Sequence, residues 1–474
     1  MKEHAMLSFF GHPTTHCDRV TRRGFLTAGA MGVGGLTLVD LLRAEAQAGI
    51  GSSRKAVIHV HLDGGPPQMD MIDPKPEAPR ELRGVFSPIS TKVPGIHLTE
   101  LLPKTAAIAD RFVFLRSVVG SDGKHDAFQC QSGFDSKNMA SQGGRPAMGA
   151  AIAKLRGAAG DSAPPFVDLM QGRGLARNST RPGFLGPAYG PFRPDISKWF
   201  QRKLEPGMVK ELAAKGTEYQ TSLDLLPGLS AKRLRDRTSL LAGLDRMRRD
   251  VDASGMMDAA DQFTHQAFEM LTSGRFADAI DLSQEDPKVL KRYHLDASAA
   301  PGNHATSDTV AATRKLLIAR RLVEVGVRCV SVSISDFDTH ASNFKRLEQI
   351  VPIFDHAIST LVIDLEQRGM LDDVSIIAWG EFGRTPKVNE KGGRDHWPAV
   401  SMGMLAGGGI REGQVIGSTD RIASAVRSRP VHFQEVLATV YHNLGFNLDH
   451  TTLTDTRGRP HYLLDRRTPI RELV

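Results

Sequence analysis

The segment Val374–Pro398 contains side chains whose types and spacing suit metal chemistry. An apolar run opens the segment, Glu381 follows it, and the pair Asp395-His396 comes after a short polar loop. A carboxylate at a strand end and a nearby aspartate–histidine pair offer the oxygen and nitrogen ligands that divalent ions take in proteins. We therefore predict Glu381, Asp395 and His396 as metal ligands. The alternative is a solvated loop in which Glu381 pairs with Arg384 at the surface.

Candidate ligands also follow two other apolar runs. The first run, Lys55–Leu62, ends at Asp63, and the run Arg328–Ile334 leads to Asp338 and His340. Residues two apart in an extended segment face the same side, so Asp338 and His340 could bind one ion. An Asp-x-His triplet is not rare in a chain with 17 histidines. The weight of this triplet therefore comes from its position after a predicted strand.

A serine and a histidine stand at the end of a further predicted strand, Phe112–Val118. A serine at a strand-to-helix turn can act as a nucleophile with help from the helix N-terminus and a metal ion, which makes Ser121 the candidate. His125, four residues later, could bind a metal ion, contact substrate or simply pack. Arg384 and Lys124 would offset the charge of an anionic substrate. We predict Ser121, His125 and Arg384 as the catalytic residues.

The predicted metal ligands are four carboxylates and two imidazoles, from Asp63, Asp338, His340, Glu381, Asp395 and His396. This set suits one zinc-like ion or two ions that share a bridging group, with zinc, calcium or manganese as the candidates. Such ions polarise a phosphoryl or sulfuryl oxygen and lower the pKa of a bound hydroxyl. Asp70 could be a further ligand, although an aspartate in such a loop more often caps a turn. The chain has no G-x-S-x-G elbow, no Walker sequence and no G-x-G-x-x-G after its first strand, which disfavours serine-hydrolase and nucleotide sites.

The elements that must position these residues alternate between helix and strand. A long amphipathic helix, Phe344–Arg368, ends at Gly369 before the next strand, which is typical of a parallel sheet with right-handed crossovers. We predict an α/β fold with a doubly wound, mostly parallel sheet between helices, and the working groups at the carboxyl ends of the strands. A helical insertion is predicted at about 195–300, with amphipathic runs at Ser230–Ser254 and Asp258–Thr272.

Composition limits the function classes. The 474 residues suffice for one large domain with an insertion or for two domains. The net charge is +7, but the basic residues are interleaved with acids at helical spacing, which does not indicate a nucleic-acid partner. Three cysteines cannot form a disulfide framework, although a single Cys130–Cys329 bridge is possible. No segment after residue 48 has the pattern of a transmembrane helix.

The N-terminal segment has the pattern of an export signal. Arg22-Arg23-Gly24-Phe25-Leu26 precedes an uncharged apolar run, and small residues follow at Ala44, Ala46 and Ala48. This pattern predicts a twin-arginine signal peptide over residues 1–48, so the twin-arginine machinery is an expected partner. The remaining chain, 49–474, would be periplasmic or extracellular. An ordinary amphipathic helix and an uncleaved anchor are the alternatives.

Several motifs together resemble domain-of-unknown-function family 1501. They are the twin-arginine leader, HLDGGPPQMD, DPKP, GFLGPAYGPF, ARRLVEVGVR, DFDTHASN, GEFGRTP, GRDHWP and VIGSTD. The resemblance implies an exported, sulfatase-like bacterial protein related to the alkaline phosphatase and sulfatase superfamily, with a two-metal site in a doubly wound α/β sandwich. It also implies that Asp63 is the metal aspartate of the first strand and that Asp338 and His340 serve the other metal. Asp395 and His396 fall near the last metal histidine of that superfamily.

The chain also departs from the superfamily pattern. Glu381-Phe382 stands where an Asp-His pair is usual, and Cys130 is not followed by the arginine of the formylglycine motif. The spacing of Ser121 and His125 resembles the threonine-to-histidine spacing of some phosphodiesterases in the superfamily. We therefore expect an exported metal-dependent hydrolase of phosphate or sulfate esters, acting on an anionic small molecule or a polysaccharide. The alternative is a non-catalytic metal- or glycan-binding protein with a degenerate site, and a structural surface protein is a third, weaker hypothesis.

Overall fold

The computed structural model describes residues 54–139, 143–157, 163–214, 274–302, 304 and 307–474. The description below concerns the compact unit Arg54–Val474. The predicted signal peptide over 1–48 and the amphipathic runs predicted at Ser230–Ser254 and Asp258–Thr272 lie outside the described residues.

A mixed sheet with apolar, β-branched strands forms the centre of this unit. The strands of the described residues are β1 Ala56–Asp63, β2 Pro88–Ser90, β3 His97–Thr99, β4 Val113–Val119, β5 Phe166–Asp168, β6 Cys329–Ser335, β7 Val374–Trp379, β8 Gly383–Arg384, β9 His396–Trp397, β10 Ser401–Ala406, β11 Gln414–Ile416, β12 Ser418–Thr419, β13 Val426–Ser428, β14 Val431–His432, β15 Thr452–Thr454 and β16 Pro460–Tyr462.

The central sheet has eight strands in the order β11-β4-β10-β7-β1-β6-β5, with β14 beside the end of β4. Strand β10 runs antiparallel to both of its neighbours, and all other pairs in this sheet are parallel. Four two-stranded hairpins, β2–β3, β8–β9, β12–β13 and β15–β16, lie outside it among the described residues. The predicted mostly parallel sheet is confirmed.

Helices connect these strands. They are α1 Gln68–Met71, α2 Arg80–Arg83, α3 Pro103–Ala107, α4 Phe128–Ser132, α5 Met148–Arg156, α6 Arg173–Ala176, α7 Pro206–Ala214, α8 Arg275–Ile280, α9 Pro287–Tyr293, α10 Thr313–Glu324, α11 Asn343–Gln367 and α12 Phe433–Asn443, together with 3-10 turns at Ala109–Arg111, Ser136–Met139, Gly183–Leu185, Pro187–Tyr189, Leu282–Gln284, Ala297–Ala299, Val310–Ala312 and Leu371–Asp373. Helices α7, α8 and α9 fall in the described part of the predicted insertion. Among the residues searched, no helix is long and apolar enough to cross a membrane.

Alternate residues of β1 show that helices cover both faces of the sheet. Ile58 and Val60 belong to an apolar cluster that includes Leu316 of α10. Val57 belongs to a second cluster that includes Val436 of α12 and residues of α4 and α5. Because side chains alternate across a strand, the two clusters lie on opposite faces, and the prediction of a sheet between helical layers is confirmed.

Two other features of this unit are buried. Strand β5 ends at Asp168, whose Oδ1 accepts a hydrogen bond from the backbone N–H of Met170 at 2.9 Å and turns the chain. Cys130 and Cys329 are both buried and free, so the possible disulfide bridge between them is not present.

Candidate metal centre

Three neighbouring parallel strands deliver the candidate ligands to one edge of the sheet. Strand β1 lies between β7 and β6, with Asp63 paired to Ser335 at the end of β6. The chain then continues to Asp338 after β6 and to Glu381 after β7. The carboxyl ends of parallel strands meet at the same edge, so residues far apart in sequence come together there.

The first group of ligands, here called the inner cluster, consists of His61, Asp63 and Glu381. One ligand atom from each lies within 4.8 Å of the others, and all three side chains are buried. His61 Nε2 lies 3.4 Å from Glu381 Oε2, and the backbone N–H of Gly64 donates to both oxygens of Glu381, at 3.1 and 3.3 Å.

The inner cluster fits a bound cation. The two ring nitrogens of His61 and the Oδ1 atom of Asp63 are buried, and none of the three makes a hydrogen bond. Unsatisfied buried polar atoms are costly and uncommon. Two ligand atoms bonded to one tetrahedral zinc ion at about 2.1 Å lie about 3.4 Å apart, which is the separation found between His61 and Glu381.

The second group, here called the outer cluster, consists of His125, Asp338, His340 and His396. Asp338 Oδ1 lies 3.3 Å from His125 Nε2, 3.2 Å from His340 Nε2 and 3.7 Å from His396 Nε2. The Nε2 atoms of His340 and His396 are 3.0 Å apart. Three imidazole nitrogens and one carboxylate oxygen with these separations match the ligand set of a zinc-like ion.

Carboxylates orient two of these imidazoles through their other nitrogen. Asp395 Oδ1 lies 2.7 Å from His340 Nδ1, and Glu381 Oε1 lies 3.0 Å from His125 Nδ1. A proton on each Nδ1 leaves Nε2 free to bind a cation, which is how metal-binding histidines are usually held. The structure thus places Asp395 outside both clusters, although we predict it as a direct ligand from the sequence. Glu381 belongs to the inner cluster and also contacts the outer one.

The hairpin β8–β9 positions the Asp395-His396 pair. Arg394 donates to both carboxylate oxygens of Asp70, at 2.8 and 3.1 Å, and both side chains are buried. Asn343 of α11 also donates to Asp70 at 2.9 Å. Asp70 is therefore a structural anchor for the loop, and it is absent from both ligand clusters.

Arg384, predicted as a catalytic residue, ties the two clusters together. Its guanidinium donates to Asp338 Oδ1 at 2.8 Å and to the carbonyl oxygens of Gly64, Gly65 and Arg394. The side chain is buried. Gly64 has φ +108°, and a Cβ there would lie 2.4 Å from Asp338 N, so only glycine allows this close approach.

Ser121 lies beside the inner cluster. Its hydroxyl donates to the backbone carbonyl of Glu381 at 2.6 Å and accepts from the N–H of Gly123 at 3.1 Å. Lys124, predicted to offset substrate charge, donates to the Ser136 hydroxyl at 2.8 Å.

Two arginines that our sequence analysis does not single out contact the cluster carboxylates. Arg173, at the start of α6, donates from one terminal nitrogen to Asp338 Oδ2 at 2.8 Å, and its other terminal nitrogen has no partner. Arg202 donates to Asp63 Oδ2 at 3.1 Å. Both arginines come from segments without a motif, and only the fold brings them to the site.

His61 is also missing from the sequence prediction, although a local signal exists. His59, His61 and Asp63 are spaced two apart along β1, so they share one face of the strand. His59 is buried and accepts a hydrogen bond from Trp379 Nε1 at 2.7 Å, which fixes the part of β1 that precedes His61. Because residues two apart in a strand share a face, the residue two positions before Asp63 is predicted to lie beside it, and that residue is His61.

The charges of the site shift the pKa values of its carboxylates. Burial raises the pKa of Asp63, but the charges of Arg202 and Arg173 outweigh it and hold the pKa below its usual range. Burial likewise raises the pKa of Glu381, but the hydrogen bond to His125 together with the charges of His61 and His125 outweighs it and lowers the pKa. Both carboxylates are therefore ionised at neutral pH.

His125 shifts in the other direction. Burial lowers its pKa, but the hydrogen bonds to Asp338 and Glu381 outweigh burial and raise the pKa above the usual value. The imidazole thus gains a proton readily in the absence of a cation, and a cation at the outer cluster would compete with that proton.

Comparison with solved structures gives distant matches. The structure of Ps i-CgsB in complex with k-i-k-neocarrahexaose has 10% identity and a TM-score of 0.36, and the alignment covers 83% of this chain and 72% of that one. The PsFucS1 sulfatase from Pseudoalteromonas sp. has 14% identity and a TM-score of 0.35, with 87% and 71% covered. The C-terminal periplasmic domain of EcEptC from Escherichia coli, in complex with Zn, has 9% identity and a TM-score of 0.33, with 84% of both chains covered. At these TM-scores the similarities support no statement about activity.

Comparison by sequence identifies the family. No curated protein matches the chain. The family described as "Protein of unknown function (DUF1501)" matches residues 54–474, and the motifs that contribute most of the cluster residues, DFDTHASN, GEFGRTP and GRDHWP, lie within that range. The match spans all but the first 53 residues, and the chain belongs to this family.

Proposed function

We propose that this chain is an exported metal-dependent hydrolase of phosphate or sulfate esters. The observation that supports this proposal is the pair of adjoining ligand clusters at the carboxyl edge of the sheet, one of which has buried atoms without partners. The imidazoles of the outer cluster favour zinc over calcium, and the two carboxylates of the inner cluster also accept manganese. Bound divalent ions would supply Lewis-acid activation of the ester oxygen and of a water molecule.

The residues of the chain would bind and orient an anionic substrate. One terminal nitrogen of Arg173 is buried and has no partner, so it would donate to an oxygen of a phosphate or sulfate group once the side chain moves toward the substrate. Arg384 is buried and donates to Asp338 and to three backbone carbonyl oxygens, so its role is to position the outer cluster. An anionic small molecule and a polysaccharide ester remain equally suitable substrates.

Ser121 is the candidate nucleophile. In this route its oxygen bonds to phosphorus or sulfur, the alcohol of the ester leaves with a proton, and water then releases the acid and restores the hydroxyl. The hydroxyl must first turn away from the Glu381 carbonyl, which now accepts its proton in a hydrogen bond. If water attacks directly, S121A keeps its activity. If Ser121 attacks, S121A loses it.

The test combines metal content with turnover. Purified protein is analysed for bound metal and then assayed on a panel of aryl phosphate and aryl sulfate esters. We expect stoichiometric metal and turnover of one ester class in the wild type, loss of turnover in D63N and H396A, and less bound metal in H396A, which lacks a ligand of the outer cluster. H294A is the matched control, because His294 is an exposed histidine that pairs with Asp296 at 3.3 Å in the insertion. Absence of metal from the wild type would refute the proposal.

A second candidate function is metal or glycan binding without catalysis. One observation favours it: arginines already neutralise two cluster carboxylates, because Asp63 pairs with Arg202, and Asp338 pairs with Arg173 and Arg384. A site balanced in this way can persist after its chemistry is lost. This function predicts bound metal or glycan without turnover on the whole ester panel, and turnover that depends on His396 would exclude it.

The proposed export rests on the sequence of the N-terminal segment. We propose that the pair Arg22-Arg23 directs residues 1–48 to the twin-arginine machinery and that the mature protein is periplasmic or extracellular. In a bacterial host, the variant R22K/R23K should accumulate in the cytoplasm, while the wild type appears in the periplasmic fraction or the medium. Equal distribution of the two proteins would refute this export route.

A further inference from the structure

The carboxylate of Asp63 has a cation beside it that comes from the chain itself. Arg202 Nη1 donates to Asp63 Oδ2 at 3.1 Å, and the side chains are 1% and 2% exposed. Ser335 Oγ donates to the same oxygen at 3.2 Å. The other oxygen, Asp63 Oδ1, is the one without a partner. A cation in the inner cluster would therefore bind one side of a carboxylate whose other side already binds a guanidinium.

Asp63 is the only hydrogen-bond partner of this guanidinium in the described part of the chain. Nε and Nη2 of Arg202 are buried and make no hydrogen bond. The charge of Arg202 is thus balanced mainly by Asp63. A buried charge that loses its partner is strongly destabilising, so any cation that withdraws charge from Asp63 also raises the free energy of Arg202.

Arg202 cannot easily turn away from the inner cluster. Its backbone N–H donates to Gln171 Oε1 at 2.7 Å. The turn before α6 closes over the contact, because a Cβ on Gly172 would lie 2.3 Å from Arg202 Nη1 and 2.9 Å from Asp63 Oδ2. The guanidinium is therefore held between this turn and the end of β1, and repulsion by a second cation would not be relieved by a small rotation.

We propose that Arg202 determines the metal affinity of the inner cluster, so that an ion binds there much more weakly than at the outer cluster. The inference rests on the metal binding proposed above. A divalent ion on Asp63 Oδ1 and the guanidinium on Oδ2 would lie about 5 Å apart. At an effective dielectric constant of about 20, repulsion at that distance weakens binding by well over tenfold.

The metal affinity of the outer cluster is less limited by a buried arginine that depends on a single carboxylate. Asp338 contacts two arginines, but neither charge depends on Asp338 alone. Arg384 also donates to three backbone carbonyl oxygens, and Arg173 also lies 3.9 Å from a carboxylate oxygen of Glu205. Three imidazoles, which are neutral ligands, supply the remaining bonds. Occupation should therefore be sequential, with the outer ion first and the inner ion only at higher metal concentration.

The test measures zinc affinity rather than activity. Metal-free protein is titrated with Zn²⁺ against a chromophoric chelator, in a buffer without phosphate or sulfate. We expect the wild type to bind one zinc ion tightly and a second one weakly. In R202M the Kd of the weak site should fall at least tenfold, while the Kd of the tight site stays within about twofold. R202K keeps the positive charge and should keep the weak Kd. In the R202M background, H61L should remove the tightened ion, which assigns it to the inner cluster.

The control and the contrary outcomes separate this inference from the proposed function. The control is R320M, which removes an equally buried arginine on helix α10 whose Nε lies 2.9 Å from Asp364 Oδ2. Both Kd values should be unchanged in R320M. Two wild-type ions of equal affinity, or an unchanged weak Kd in R202M, would overturn the role of Arg202 while leaving the metal centre intact. If the wild type binds no zinc, both proposals fail. If R202M does not fold, the comparison rests on R202Q, which also removes the charge.

Discussion

Replacement of Asp395 with asparagine should weaken metal binding at the outer cluster without removing a ligand. Asp395 Oδ1 lies 2.7 Å from His340 Nδ1 and holds the ring with Nε2 toward the cluster. An asparagine keeps an oxygen that accepts this hydrogen bond but loses the negative charge, which makes the imidazole a poorer ligand.

The magnitude follows from the burial of the contact. Loss of a carboxylate that supports a metal-binding histidine costs about 10–100-fold in affinity. The Asp395 side chain is 53% exposed, and water screens exposed charges, so we expect the lower end for D395N, about tenfold or about 1.4 kcal/mol. D395A also loses the hydrogen bond, so its zinc affinity should fall further, toward the upper end of the range of about 10–100-fold.

The assay is the chelator competition with Zn²⁺ at pH 7, where the tight Kd reports the outer cluster. D449N is the matched control, because Asp449 is an exposed aspartate that pairs with Arg467 at 3.1 Å on another part of the surface. If D395N and D449N both bind zinc as tightly as the wild type, Asp395 does not support His340 and the assigned outer cluster is wrong.

Three further predictions test other parts of the molecule. H61L should abolish the weaker ion and leave the stability of the metal-free protein unchanged or raised in urea unfolding, because both nitrogens of His61 are buried without partners. D70N breaks the buried pair with Arg394 and should lower the free energy of unfolding by about 3–5 kcal/mol. Burial and the charge of Lys104 lower the pKa of His356 to about 4 in the folded protein. In the unfolded chain the pKa of this residue is about 6.5, so between about pH 4 and pH 6.5 the unfolded chain binds more protons than the folded protein. Stability should therefore fall by up to about 3 kcal/mol as pH decreases from 6.5 to 4, and H356Q, compared with the wild type in urea at pH 7 and 4.5, should lack this part of the loss.

Most of the sheet and most cluster residues are predictable from the sequence, because both depend on local patterns. The apolar runs mark the strands, and polar residues at their ends mark the edge where parallel strands place functional groups. Asp63 and Asp338 are found in this way. His61 is within reach of the same reasoning, since it shares the face of Asp63, but a histidine inside an apolar run is more easily taken as part of the core.

The distinction between a ligand and its supporting residue is beyond the sequence. Asp395 and His396 are adjacent, yet His396 belongs to the outer cluster while Asp395 contacts it only through His340. Adjacent residues in the short strand β9 and its flank point to different sides, and which side faces the cluster depends on pairing with β8. Arg202 is less predictable still, because its contact with Asp63 joins segments 139 positions apart.

The two clusters differ in what holds their ligands in place, and this difference has a consequence for function. His61 and Asp63 lie within β1, where backbone pairing with β6 and β7 fixes their positions. Three of the outer ligands lie in loops after strands, and the fourth, His396, lies in the short strand β9. Hydrogen bonds with Arg384 and Asp395 position Asp338 and His340. An ion bound by loop residues gains affinity from every contact that pre-orders those loops, whereas the inner cluster is ordered in advance and is limited by charge. Changes in the supporting residues should therefore act on the outer ion, and changes in charge around Asp63 should act on the inner one.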